Sequence, residues 1–193
     1  MIEPHIYLDT NVILDAIYQR YIPSLNCLNR IRSEGWKCST SRFTVLEMLD
    51  YEQEKSFEEK CVGEGILRSR LRDYMGRRRQ DKWGLSEAQL SDVWKSLHAK
   101  LANEYAFISY EQPADKELWD ELWDEAEKFC AATNIGYTDA IQLAFAVCIG
   151  CNILITHDQD FQPIADKYII ADLPDNLDIA LEKAKYPSIR RLR

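Results

Sequence analysis

The sequence predicts an α/β fold, a three-layer α/β/α sandwich around a parallel sheet of about five strands, with a helical insertion. Three observations predict it. Short apolar runs of strand length recur along the 193 residues. Stretches with helical periodicity separate them, long enough for the crossovers that parallel strands need. The clearest runs are apolar at successive positions, as in strands covered on both faces. Hydrophobic residues make up 46% of the chain and charged ones 29%, so a sizeable core can be buried. With 7 Gly, 6 Pro and no low-complexity tract, the composition is that of a folded chain.

His5-Ile6-Tyr7-Leu8 reads as the first strand, ending at Asp9. Thr10-Asn11 opens a helix to about Arg20 with Val12, Ile13, Ala16 and Ile17 on one side. Pro23 starts a second helix that stops near Gly35. Trp36–Thr40 is the second strand, and Ser41 caps a third helix carrying Phe43, Val45, Leu46 and Leu49. Residues 55–103 are polar, charged and helical in pattern, and Ser86-Glu87-Ala88-Gln89 has the form of a capping box. This stretch is expected to be an insertion within a single domain spanning 1–193.

Ala106–Ser109 is the expected third strand. A helix from about Ala114 to Ala132 follows, with Leu118, Trp119, Leu122, Trp123 and Ala126 along one stripe. That stripe reads as core or as a homodimer interface. Gly136 ends this helix, and Thr138-Asp139 begins another that is apolar on nearly every side, hence buried. Asn152–Thr156 is the most distinct strand, Tyr168–Ile170 a fifth, and a helix from about Pro174 to Ala184 closes the chain. Right-handed crossovers would wind these elements into a doubly wound sheet, whose ligands sit at the carboxyl ends of the strands.

The acids at those strand ends carry the chemistry. Asp9 follows the first strand, and Asp158 and Asp160 follow the fourth. Asp139 opens the buried helix, and Glu47 lies in the helix after the second strand. Each has an ordinary alternative: a turn residue, a first-turn acid favoured by the helix dipole, a solvated helix face or an Asx-rich loop. Together they would share one crevice, where like charges repel unless a cation joins them. Carboxylate oxygens suit Mg²⁺ or Mn²⁺, and such an ion suits phosphodiester cleavage. No Ser-His-Asp or Cys-His arrangement competes, and neither a GxxxxGK[ST] loop nor a GxGxxG fingerprint occurs.

These residues resemble the motifs of PIN domains. Ile6-Tyr7-Leu8-Asp9-Thr10-Asn11 is similar to the family's opening motif, Thr44-Val45-Leu46-Glu47 to its second, Tyr137-Thr138-Asp139-Ala140 to its third, and Ile155-Thr156-His157-Asp158-Gln159-Asp160-Phe161 to its fourth. The likeness covers roughly residues 4–55 and 104–172. It implies a metal-dependent ribonuclease in which Asp9, Glu47, Asp139 and Asp158 form the acidic pocket around Mg²⁺ or Mn²⁺. Asp160 would be an auxiliary ligand, and Asn11 and Thr156 would position the loops by hydrogen bonds. His157 is expected to face solvent as a bystander. Many PIN-like proteins are toxins of toxin–antitoxin pairs, so an antitoxin partner is a further expectation. The alternative is a catalytically silent PIN scaffold that binds RNA or protein. A haloacid-dehalogenase-like phosphatase lacks support, because Asp9-Thr10-Asn11 has no second Asp.

The net charge of −8 opposes general nucleic-acid binding, yet Arg68–Lys82 concentrates Arg68, Arg70, Arg72, Arg77, Arg78, Arg79 and Lys82 against Asp73 and Asp81, a local net of +5. Two readings fit this stretch, a solvated hairpin or a clamp in which Arg68, Arg70, Arg77, Arg78 and Arg79 hold an RNA backbone. Cys148 and Cys151 form one CxxC without a second pair, which reads as a helix end packed on the next strand. The absence of an apolar run of about eighteen residues, and of a basic, apolar leader, predicts a cytoplasmic protein.

Overall fold

A computed structural model of the chain describes residues 3–67, 69–71, 85–133, 135–164 and 168–185. It is an α/β protein with one five-stranded, all-parallel sheet flanked by helices, as in a three-layer α/β/α sandwich. The chain divides into two compact units, residues 1–44 with 107–193, and residues 45–106. Among the described residues, no helix is long and apolar enough to cross a membrane.

The sheet belongs to the first unit. Its strands are β1 (His5–Leu8), β2 (Lys37–Ser41), β3 (Ser109–Glu111), β4 (Ile153–Ile155) and β5 (Ile170–Asp172), in the order β3-β2-β1-β4-β5. The chain leaves β1 toward β2 on one side and later returns to place β4 on the other. The switch point therefore lies between β1 and β4, where such sheets open a crevice at their carboxyl edge. Ile6 pairs with Ile153 and Leu8 with Ile155, and the ladder runs one step further: the Asp9 N–H donates to Ile155 O at 3.1 Å. That bond brings the first acid alongside the end of β4.

β1, apolar after its first residue His5, and the wholly apolar β4 are buried at every position. Tyr7 and Leu154 pack with Leu122, Ala126 and Phe129 of α5 (Lys116–Thr133) and with Ala140, Leu143, Ala144 and Phe145 of α6 (Tyr137–Cys148). Side chains alternate across a strand, so Ile6, Leu8, Ile153 and Ile155 face the opposite layer. Thr10–Ile17 forms α1, capped by Asp9, and Ile22–Glu34 forms α2, which ends on Gly35 in the left-handed conformation (φ 67°). A 3₁₀ turn at Pro174–Asn176 leads into the last helix, Leu177–Lys185.

In the second unit, α3 (Arg42–Gly63) continues past Thr44, and α4 (Glu87–Glu104) opens on the expected capping box. The Gln89 N–H reaches Ser86 Oγ, and the Ser86 N–H reaches Gln89 Oε1. Phe57, Cys61 and Leu71 form its small buried cluster. The unit begins at residue 45, inside α3, which runs unbroken through residue 55.

Several boundaries differ from expectation. β3 occupies 109–111 rather than 106–109, and β5 occupies 170–172 rather than 168–170. Gly136 is the N-cap of α6, while α5 already ends at Thr133. Of the aromatic stripe on α5, Leu122 and Ala126 are core, Trp119 meets Phe43 edge-on at 6.2 Å, and Trp123 is exposed.

Candidate metal centre

The site is built on the carboxyl edge of β1 and β4 and on the first turn of α6. Asp9 caps α1 with extended backbone, and its Oδ1 accepts the Thr10 N–H at 2.6 Å. Its Oδ2 accepts the Thr156 hydroxyl at 2.7 Å. Asp9 is 5% exposed, so both bonds lie in a protected environment where an unpartnered carboxylate would be costly. Thr156 sits one residue beyond β4, held by its N–H to Asp172 O at 3.1 Å. The same hydroxyl that donates to Asp9 accepts the Asp158 N–H at 2.9 Å. Thr156 thus couples the first acid to the loop bearing the next two.

Asp158 Oδ1 in turn accepts the Asp160 N–H at 2.8 Å, a local side-chain-to-backbone bond that opens the 3₁₀ turn Gln159–Ile164. Phe161 of that turn is buried in the sheet–helix core and anchors the loop. Asp139 lies in the first turn of α6, a helix with Ala140, Gln142, Leu143, Ala144, Phe145 and Ala146 buried, so its position is fixed by core packing. Gly136, the cap residue, has ordinary extended backbone. Its missing side chain matters for space, because a Cβ there would stand 3.1 Å from Asp139 Oδ2.

One carboxylate oxygen from each of Asp139, Asp158 and Asp160 lies within 4.8 Å of the others. Asp139 and Asp158 are half-buried and Asp160 is exposed. Around an octahedral ion with oxygens at about 2.1 Å, neighbouring ligands stand about 3.0 Å apart and opposite ones about 4.2 Å, so the three oxygens would have to draw together to share one Mg²⁺ or Mn²⁺. Hard, charged oxygen donors with an open, solvent-facing side fit an ion that keeps several waters. Without a cation, each pair of charges at about 4 Å repels by roughly 1 kcal/mol even in water-like surroundings.

The group gathers three of the five expected acids. Asp9 is joined to it through Thr156 rather than as a member. Glu47 is half-buried on α3, within the 45–106 unit. Asn11 is exposed on the first turn of α1. Arg70 is exposed, while Arg68, Arg77, Arg78 and Arg79 lie outside the described residues.

His157 corrects an expectation. It does not face solvent as a bystander. Its Nε2 lies 2.9 Å from Ser24 Oγ and 3.2 Å from Asp15 Oδ2, and its ring meets Tyr21 edge-on at 4.9 Å. Gly136 was likewise legible only as a helix break. Its closeness to Asp139 depends on where the carboxylate points, which spacing does not reveal. Cys151 is buried beside α6, and burial pushes the Cys148 thiol up to about 11 and Cys151 higher still. Both thiols therefore favour the protonated form more than a free cysteine does, which makes them poor nucleophiles. No family model matches the chain, and no curated protein matches it.

Proposed function

We propose that the chain is a Mg²⁺- or Mn²⁺-dependent ribonuclease of the PIN type, hydrolysing RNA phosphodiester bonds. The observation that carries this reading is the convergence of Asp139, Asp158 and Asp160 at the carboxyl edge of the β1–β4 switch point. Their order along the chain and their flanking residues follow the motifs of that family.

In this reading Asp139, Asp158 and Asp160 hold the ion, and Asp9 organises the loops that carry two of them. A bound divalent ion supplies a polarised phosphoryl group and a water that loses its proton near neutral pH. The chain's own part is to hold the carboxylates at short spacing. Asp139 is the most firmly placed, since α6 is a core helix. Asp160, the exposed member of the group, stands on its solvent side. In the same reading the arginines of the 68–79 stretch are contacts for the RNA backbone, Arg being suited to phosphate by its planar fork.

The test is cleavage of a labelled single-stranded RNA by wild type and Asp139→Asn in Mg²⁺, Mn²⁺ or EDTA. Cleavage is expected from wild type with metal and from neither protein in EDTA, with Asp139→Asn reduced at least a hundredfold, on the order of what a lost electrostatic group costs. Equal rates from wild type and variant would remove Asp139 from the site. No metal-dependent binding or cleavage by wild type would remove the nuclease reading.

A further inference from the structure

We infer that His157 is a positioning residue for the candidate metal centre: it pins the Thr156–Asp160 loop to the corner between α1 and α2 and thereby sets Asp158. The inference rests on the metal reading of the acidic group.

Thr156 and His157 are consecutive residues beyond β4, and their side chains serve opposite directions. Thr156 reaches inward to Asp9 and receives the Asp158 amide. His157 reaches the other way, to Asp15 on α1 and Ser24 on α2. The imidazole Nε2 faces a carboxylate oxygen, which only accepts, so the hydrogen belongs on Nε2 and is shared between Asp15 Oδ2 and Ser24 Oγ. Ser24 is fully buried, and His157 keeps about a quarter of its side chain exposed.

Each partner is itself held. Arg20 contacts the other oxygen of Asp15 at 2.8 Å. Tyr21, against the imidazole edge, donates its hydroxyl to the Asp175 carboxylate at 2.8 Å and 3.0 Å. The loop carrying Asp158 and Asp160 is therefore fastened on both flanks, by Thr156 on the pocket side and His157 on the helix side. Three carboxylates within 4.8 Å repel, and a loop fastened on one side alone would relax outward and widen that spacing. Groups that orient metal ligands without touching the ion commonly change metal affinity 10- to 100-fold, roughly, when removed.

The experiment measures Mn²⁺ affinity by titration with electron paramagnetic resonance, and hydrogen exchange of the 156–160 segment without metal, for wild type, His157→Ala, His157→Gln and Asp15→Asn. His157→Ala is expected to weaken Mn²⁺ binding about tenfold and to speed exchange in that segment. His157→Gln, which keeps a donor of similar reach, should recover part of the affinity. Asp15→Asn should show an intermediate loss, and it keeps the test open if the alanine variant fails to fold. Wild-type affinity in both His157→Ala and Asp15→Asn would overturn this inference and leave the metal site standing. Wild type that takes up no Mn²⁺ would overturn the metal reading and this inference with it. An equal loss in His157→Ala and His157→Gln, with unchanged segment exchange, would also overturn it.

Discussion

Replacing Thr156 by Val removes one hydroxyl and keeps the shape of the side chain, so its cost reports on that oxygen alone. Two bonds are lost. The first is the 2.7 Å bond donated to the Asp9 carboxylate, and such bonds to charged groups contribute about 1.5–3 kcal/mol. The second is the 2.9 Å bond accepted from the Asp158 N–H, in a half-buried loop, worth about 0.5–1.5 kcal/mol. Asp9 keeps its bond from Thr10 and its capping role, so it is not stranded. The expected loss is therefore about 2–4 kcal/mol. Urea unfolding in EDTA, followed by far-ultraviolet circular dichroism, measures it without any contribution from metal. Thr156→Ser keeps the oxygen and loses one methyl, for about 1 kcal/mol. A Val variant within about 0.5 kcal/mol of wild type, or a Ser variant as damaged as Val, would refute the view that this hydroxyl ties Asp9 to the Asp158 loop.

Two further outcomes follow from the same geometry. Gly136→Ala should leave the fold intact but weaken Mn²⁺ binding several-fold, because the added Cβ stands 3.1 Å from Asp139 Oδ2 and displaces that oxygen by a few tenths of an ångström; unchanged affinity in a titration would show that Asp139 has room to yield. His5 should make the protein acid-sensitive: its burial, with a smaller effect from Lys37, holds the imidazole below its ordinary value of 6.5, while Nε2 contacts Ser39 Oγ at 2.9 Å. The unfolded chain then takes up a proton near pH 6.5 that the folded chain refuses until lower pH. Stability is lost as pH falls from that value through the folded one. His5→Gln should flatten the fall between about pH 7 and pH 5, and parallel urea profiles for both proteins would contradict this.

What the sequence made legible follows from where local pattern and tertiary position coincide. β1 is buried at every position and apolar from Ile6 to Leu8, so its end, and with it Asp9, could be read directly. The Asp158-Gln159-Asp160 turn is set by bonds between neighbours, which sequence order contains. The capping box at Ser86 and Gln89 is local for the same reason. β3 and β5 were displaced by two or three residues because they are edge strands. Ile108 and Ile169 are buried, yet the residues that pair are those just after them, including the exposed Ser109. Apolar patterning marks burial, and at a sheet edge burial and pairing separate. His157 was unreadable because its partner Ser24 lies 133 positions away. Nothing near either residue in the chain announces the other.

The acids that one motif set groups together serve two different physical ends. Asp9 is nearly inaccessible and both its oxygens are engaged, so its carboxylate joins α1 to the end of β4. Asp139, Asp158 and Asp160 stand at graded exposure with oxygens crowded together, an arrangement that raises the energy of the metal-free protein. The first kind of acid contributes to stability, and the second costs stability unless a counter-charge such as a cation offsets it. A fold that tolerates the second must restrain the loop from relaxing, and the Thr156 and His157 bonds do so from opposite sides. Under the metal reading proposed above, the repulsion that the scaffold resists would become attraction to a divalent ion. The rigidity of the Asp158 loop and the affinity for the ion are therefore linked quantities, and a substitution that loosens the loop should reduce both together.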